Sequence, residues 1–114
     1  MEATTEVEEN AVVLRVTGEV DSYTAPLLHE HMAAAFKKAA SAGLAVVLDM
    51  SGVSFLASSG LSVLVEYHLR GAEKGTPLRV VAPAGSVLRA LRATTLTELL
   101  ELYSSVSEAL RRSR

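Results

Sequence analysis

The chain contains no cysteine and no tryptophan among its 114 residues. The first absence excludes disulfides, thiolate metal sites and thiol nucleophiles together, and it fits a reducing, cytoplasmic setting. Aromatic residues make up only 4%, too few for a platform on which nucleic-acid bases stack. An excess of one charge is also missing. Eleven Lys and Arg stand against 13 Asp and Glu, a formal net charge of −2 that gives no general attraction to nucleic acid or anionic membrane. The opening residues Met1-Glu2-Ala3-Thr4-Thr5-Glu6 are acidic, where a secretory leader is basic and then apolar. Residues 39–65 carry one charge, Asp49, but Gly43, Gly52, Gly60 and repeated serines interrupt them, so they read as strand, turn and helix rather than a membrane span.

What is present is an ordinary globular composition, 49% apolar and 21% charged, over a length that suits one domain, residues 1–114. Thr4 to Glu9 alternates weakly and turns at Glu9-Asn10 into Val12-Val13-Leu14-Arg15-Val16, a β-branched strand. The turn Thr17-Gly18-Glu19-Val20-Asp21 follows. A helix opens near Thr24 with Pro26 in its first turn, carries Ala25, Leu28, Met32, Ala35, Phe36 and Ala39 on one stripe, and stops at Gly43. Ala45-Val46-Val47-Leu48 lacks polar alternation, the pattern of a strand covered on both faces.

A second helix is expected from Ser58, with Leu61, Leu64, Val65, His68, Leu69 and Ala72 inward and a Glu66–Arg70 pair outward, ending at Gly75 and Pro77. Leu78-Arg79-Val80-Val81 is the next strand, and Ser86 to Thr94 a short helix burying Val87, Leu88 and Leu91. Leu100-Glu101-Leu102-Tyr103 alternates as a short edge strand, and Ser105-Val106-Ser107-Glu108 is a capping box that starts a terminal helix. The order predicts an α/β domain, one mixed sheet of 4–5 strands with about four helices.

Catalytic patterns are missing. His29 and His31 are two apart, about 200° around a helix, and cannot share a metal from one face. His68 falls on the expected apolar stripe, about 15 Å of helical rise beyond Ser58, too far to serve it as a base. No nucleophile elbow, phosphate-cradling glycine loop or zinc-binding His-Glu-x-x-His occurs, so neither an enzyme nor a cofactor is expected. Arg111, Arg112 and Arg114 read as solvated charges that offset a helix dipole.

One segment stands apart, Asp49-Met50-Ser51-Gly52-Val53-Ser54-Phe55-Leu56-Ala57-Ser58-Ser59-Gly60-Leu61. Structurally, Ser58 or Ser59 caps the second helix and Asp49 closes a turn. The same geometry presents a hydroxyl at a helix N-terminus, where a phosphate meets free N–H groups and the positive end of the dipole.

That segment resembles the signature of STAS domains, in particular bacterial anti-sigma factor antagonists. Thr17-Gly18-Glu19-Val20-Asp21 resembles the family's Gly-Glu-x-Asp turn, Thr24-Ala25 stands where the family often has that pair, and Leu78 to Val81 and Val87 to Leu91 fit its later strand and helix. The resemblance implies partner switching: the unphosphorylated form binds an anti-sigma factor that is also a serine kinase of the histidine-kinase-like ATPase fold, and the sigma factor is released. The kinase phosphorylates the first serine of the motif and a serine phosphatase reverses it. The acceptor is then Ser58, with Ser59, Gly60, Glu19, Asp21 and Ala57 forming the partner-facing surface. Ala57 departs from the family, which usually has Asp immediately before the acceptor. The alternative reading is a STAS docking module without a phosphate cycle, serving a lipid-transport ATPase or a stress-signalling scaffold. A small nucleotide-binding protein is the third reading, and lacks the glycine loop.

Overall fold

Three stretches of sequence, Ala11–Leu14, Ala45–Met50 and Leu78–Val81, are buried at every residue, so the strands they build are covered on both faces. In the computed structural model, which describes residues 1–111, these are the centre of a five-stranded sheet. The elements in chain order are β1 (Glu2–Val7), β2 (Ala11–Val20), α1 (Ala25–Ala42), β3 (Ala45–Leu56), α2 (Ser58–Lys74), β4 (Leu78–Val81), α3 (Ser86–Ala93), a 3-10 turn at Leu96–Glu98, β5 (Glu101–Tyr103) and α4 (Val106–Arg111). Strand order follows chain order: β1 pairs antiparallel with β2, and β2 through β5 run parallel. The mixed α/β sheet is thus as expected.

Alternation along the strands divides the core in two. Val12, Leu14, Val46, Leu48 and Val80 pack with Leu28 and Met32 of α1, Leu64 and Tyr67 of α2, and Leu91 of α3. Ala11, Val13, Ala45, Val47 and Val81 form a smaller cluster with Ala109 of α4. Arg79, 1% exposed, donates from a guanidinium N–H to the Ala109 carbonyl at 3.0 Å, and Asn10 donates to the Leu110 carbonyl, so the end of α4 is held by side chains. Ser105 accepts the Glu108 N–H at 3.2 Å, half of the expected capping box; the Glu108 carboxylate accepts the Ser104 hydroxyl instead. Of the arginine tail, Arg112 and Arg114 lie outside the described residues.

Several boundaries differ from expectation. β1 begins and ends two residues early, because its register against β2 pairs Glu2 with Thr17 and Val7 with Val12. The turns expected at Thr17–Asp21 and Asp49–Gly52 are strand, except Asp21, which follows the end of β2. Turn-forming composition loses there to a parallel ladder that continues as Thr17–Gly52, Gly18–Val53, Glu19–Phe55 and Val20–Leu56, absorbing two register shifts. Asp49 thus lies within β3, where its Oδ1 accepts the Ser51 N–H at 3.0 Å, the local bond expected of it, and the Ser51 hydroxyl at 2.7 Å, while its other oxygen faces Arg15 at 3.6 Å.

In α2 the buried face is Gly60, Leu61, Val63, Leu64, Tyr67 and Gly71, about one residue around the helix from the predicted stripe. Leu69 is 55% exposed, Ala72 is exposed, and His68 and Val65 are half-buried. Tyr67 takes the central place because its hydroxyl finds a partner on α1. Phe36 and Leu88 are likewise half-buried rather than buried. Gly43 and Gly75 end their helices as expected, and Glu66 meets Arg70 at 2.7 Å.

Candidate functional site

Parallel strands deliver their C-terminal ends to the same edge of the sheet, and in open α/β sheets that edge is where sites form. β2 and β3 end there side by side, with Val20 opposite Leu56. β2 leads through Asp21–Thr24 into α1, and β3 leads through Ala57 into α2. The Ala57 N–H donates to the Val20 carbonyl at 2.8 Å, joining the two connections. Glu19, Asp21, Ala57, Ser58, Ser59 and Gly60, distant in sequence, are thereby gathered at one end of the sheet.

Asp21 organises the first connection. Its Oδ1 accepts the Tyr23 N–H at 2.9 Å, the Thr24 N–H at 3.0 Å and the Thr24 hydroxyl at 3.2 Å, an Asx turn that leads into α1. The backbone N–H of Thr24 does most to hold the Asp21 carboxyl below its ordinary pKa, with burial working against it. Asp21 thus spends its charge on its own turn, whereas Glu19 is exposed.

Neither serine caps α2. Ala57 occupies the N-cap position, extended at φ −81° and ψ 167°, and no side chain caps the amides of the first turn. The Ala57 carbonyl accepts from Gly60 and Leu61, so the amides of Ser58 and Ser59 precede the first intrahelical bond. A cap would turn a serine hydroxyl back onto the backbone; at the first helical position the Ser58 side chain is instead left exposed.

The two serines face different grooves. Ser58 lines one with Ser62, Val65, Thr94 and Leu96. Ser59 lines another with Ser22, Ala25 and His29 of the α1 side and Val63 of α2, and its Oγ is buried without a hydrogen-bond partner among the described residues. Gly60 is buried, and its reason is contact: a Cβ there would lie 2.6 Å from Leu56 Cδ1 and 2.8 Å from Val20 Cγ1. The glycine lets α2 start directly against the strand ends. Ala57 is half-buried and supplies no carboxylate, and the first turn of α2 contains no acidic residue.

Three apolar side chains at this end escaped the reading of the sequence. Tyr23 is 89% exposed, Phe55 50% and Leu27 45%. Phe55 pairs with Glu19 across β2 and β3, Tyr23 sits in the Asp21 turn, and Leu27 is in the first turn of α1. A large aromatic beside a tight polar turn was the available signal for Tyr23. For Phe55 the signal required knowing that the strand continued.

Among the described residues, no group of three or more His, Asp or Glu is placed to hold a metal, and no helix is long and apolar enough to cross a membrane. The model of the STAS domain family matches residues 2–109. A solved anti-sigma factor antagonist from Mycobacterium paratuberculosis is 30% identical, with a TM-score of 0.85 over 96% of this chain and 91% of its own. The Bacillus cell fate determinant SpoIIAA in its phosphorylated form superposes with a TM-score of 0.68 at 18% identity, covering 99% of this chain and 100% of its own. Its unphosphorylated form, an anti-sigma factor antagonist, also gives 0.68, at 16% identity over 96% and 94%. The SpoIIAA likenesses speak to the fold.

Proposed function

Because the chain belongs to the STAS domain family, we propose that it is an anti-sigma factor antagonist, a cytoplasmic binding protein rather than an enzyme, switched by phosphorylation of Ser58. The observation that carries this reading is the exposed, uncapped Ser58 side chain at the first position of α2, beside the Glu19–Asp21 connection. Unphosphorylated, the chain binds an anti-sigma factor serine kinase through this end of the sheet and so frees a sigma factor that it does not itself touch.

In the switching step Ser58 Oγ attacks the γ-phosphorus of ATP held by the kinase. An O–P bond forms, the bond to the leaving ADP breaks, and the serine proton is released. A serine phosphatase hydrolyses the ester back. The phosphate adds about −1.5 to −2 charge. Beside a helix N-terminus this stabilises by about 0.3–1 kcal/mol, so the fold persists. In a packed interface the same charge, desolvated or set against like charge, costs several kcal/mol, about a hundredfold or more in affinity. Without a carboxylate at Ala57, repulsion of the phosphate must come from the partner or from Glu19.

The test is intact mass with and without candidate anti-sigma kinases and ATP, with the modified residue mapped and Ser58→Ala and Ser59→Ala in parallel. One phosphate, lost only in Ser58→Ala, is expected, and Ser58→Asp should bind the kinase at least tenfold more weakly. Binding without phosphate transfer would leave an antagonist lacking this brake. Absence of both would favour a docking module for a lipid-transport ATPase or a stress-signalling scaffold.

A further inference from the structure

Away from the Ser58 end, the C-terminal halves of α1 and α2 enclose a cleft of about 300 Å³, at the lower end of the range for small-ligand sites. Its apolar part is Ala33, Ala40 and the rings of Phe36 and Tyr67, whose centroids lie 5.2 Å apart in a tilted arrangement. Its charged part is Lys37, Arg70 and Lys74, and none of its lining residues is acidic. The Arg70 guanidinium carbon stands 5.2 Å from the Tyr67 ring centroid, while one of its nitrogens is held by Glu66 at 2.7 Å, outside the cleft. Thr76, 4% exposed, also lines the cleft.

We propose that this cleft binds a small aromatic carboxylate. The half-buried Phe36 ring, tilted against the buried Tyr67, offers the surface on which a third ring packs, and aromatic pairs gain beyond simple burial. Lys37 of α1 and Arg70 and Lys74 of α2 line the cleft with no acid among the lining residues; Glu66 matches Arg70, so the surplus of positive charge rests with the two lysines, in a chain whose net charge is −2. A carboxylate answers that surplus, and Arg70, fixed over a ring, can meet it with the N–H groups that Glu66 does not occupy. A neutral aromatic would fill the same space without engaging the rim, and a simple inorganic anion would leave the rings bare.

The experiment uses the unmodified chain alone, so its result stands apart from any phosphate cycle. 2-Naphthoate is titrated against the isotopically labelled protein and amide shifts are followed, with 2-naphthamide as the neutral control. The expected result is a saturable shift confined to residues around Phe36, Tyr67, Arg70 and Thr76, with a dissociation constant below about 1 mM. The Lys37→Ala/Lys74→Ala pair, both exposed and outside the core, should weaken binding about tenfold and leave the melting temperature unchanged. Equal binding of the amide, scattered shifts, an unchanged affinity in the lysine variant, or a response only to anionic vesicles would each overturn the proposal.

Discussion

The Tyr67 hydroxyl lies 3.1 Å from Nδ1 of His29, and the two rings meet edge to face with centroids 5.1 Å apart. On the other side of the imidazole, Nε2 is 3.3 Å from a Glu66 oxygen that also accepts from Arg70. With Tyr67 donating to Nδ1 and Nε2–H donating to Glu66, every group in this bridge between α1 and α2 has its proton in a usable place. The bridge lets a 2% exposed tyrosine take the centre of the α2 core face.

Replacing Tyr67 by Phe should therefore cost about 1 kcal/mol by urea unfolding, the value of one hydrogen bond with little change in packing. Burial raises the Tyr67 pKa, opposed by Arg70 and assisted by Glu66. A raised folded pKa means that this stability is complete below the ordinary tyrosine value near 10 and is lost as pH rises through the folded value. Alkaline destabilisation should be shallower in Tyr67→Phe than in the parent chain.

Two glycines in α2 test contact against propensity. Helix propensity alone predicts that Gly→Ala stabilises by about 1 kcal/mol. At Gly60 the added methyl meets Leu56 and Val20 side chains, which can yield only by disturbing a packed core, so a net loss of about 1–2 kcal/mol is expected. At Gly71 the methyl runs into the Thr76 carbonyl oxygen, a backbone atom with less freedom, so Gly71→Ala should be the more destabilising of the two. Thermal denaturation of both variants ranks them.

Acid should loosen the Asp21 turn before it unfolds the sheet. The Asp21 carboxyl has a lowered pKa in the folded chain, so its contribution is present above the unfolded value and disappears as pH falls through the folded one. The protection factors of the Tyr23 and Thr24 amides, taken against the slower intrinsic exchange in acid, should fall on acidification. In Asp21→Ala the same amides should exchange quickly at neutral pH and respond far less to acid.

Tyr23 and Phe55 are expected to anchor the partner. Exposed aromatics at an interface centre are where truncation costs most, so Tyr23→Ala and Phe55→Ala should each weaken kinase binding about tenfold or more in a calorimetric titration. Because both side chains are largely solvated in the free chain, stability should change by less than about 0.5 kcal/mol. A drop in binding accompanied by unfolding would instead make them part of the scaffold.

The sequence disclosed the fold wherever a pattern was local. Val12–Val16, Ala45–Leu48 and Leu78–Val81 read as strands because apolar β-branched runs have few other uses, and Ser105 announced α4 through a cap. It concealed what depended on pairing. Ser51-Gly52 has turn composition but is strand, because the ladder with β2 slips past Met50 and Ser51 and resumes at Thr17–Gly52. It also hid Tyr67, whose burial required His29 from another helix. At the site, the serine–glycine run was legible as a motif. That Ala57, not a serine, holds the cap position, and that Ser58 and Ser59 face opposite grooves, depended on how the end of β3 meets α2.

The placement of α4, alone among the described helices, on the second face of the sheet has a practical side. α1, α2 and α3 occupy the first face, and Ser58 stands at the strand ends where two of them begin. A chain immobilised on a sensor surface through a linker joined behind α4 would be held by its back. Ser58, Tyr23 and Phe55 would stay clear of the support, so binding of a kinase and its loss on phosphorylation can be followed on one tethered sample.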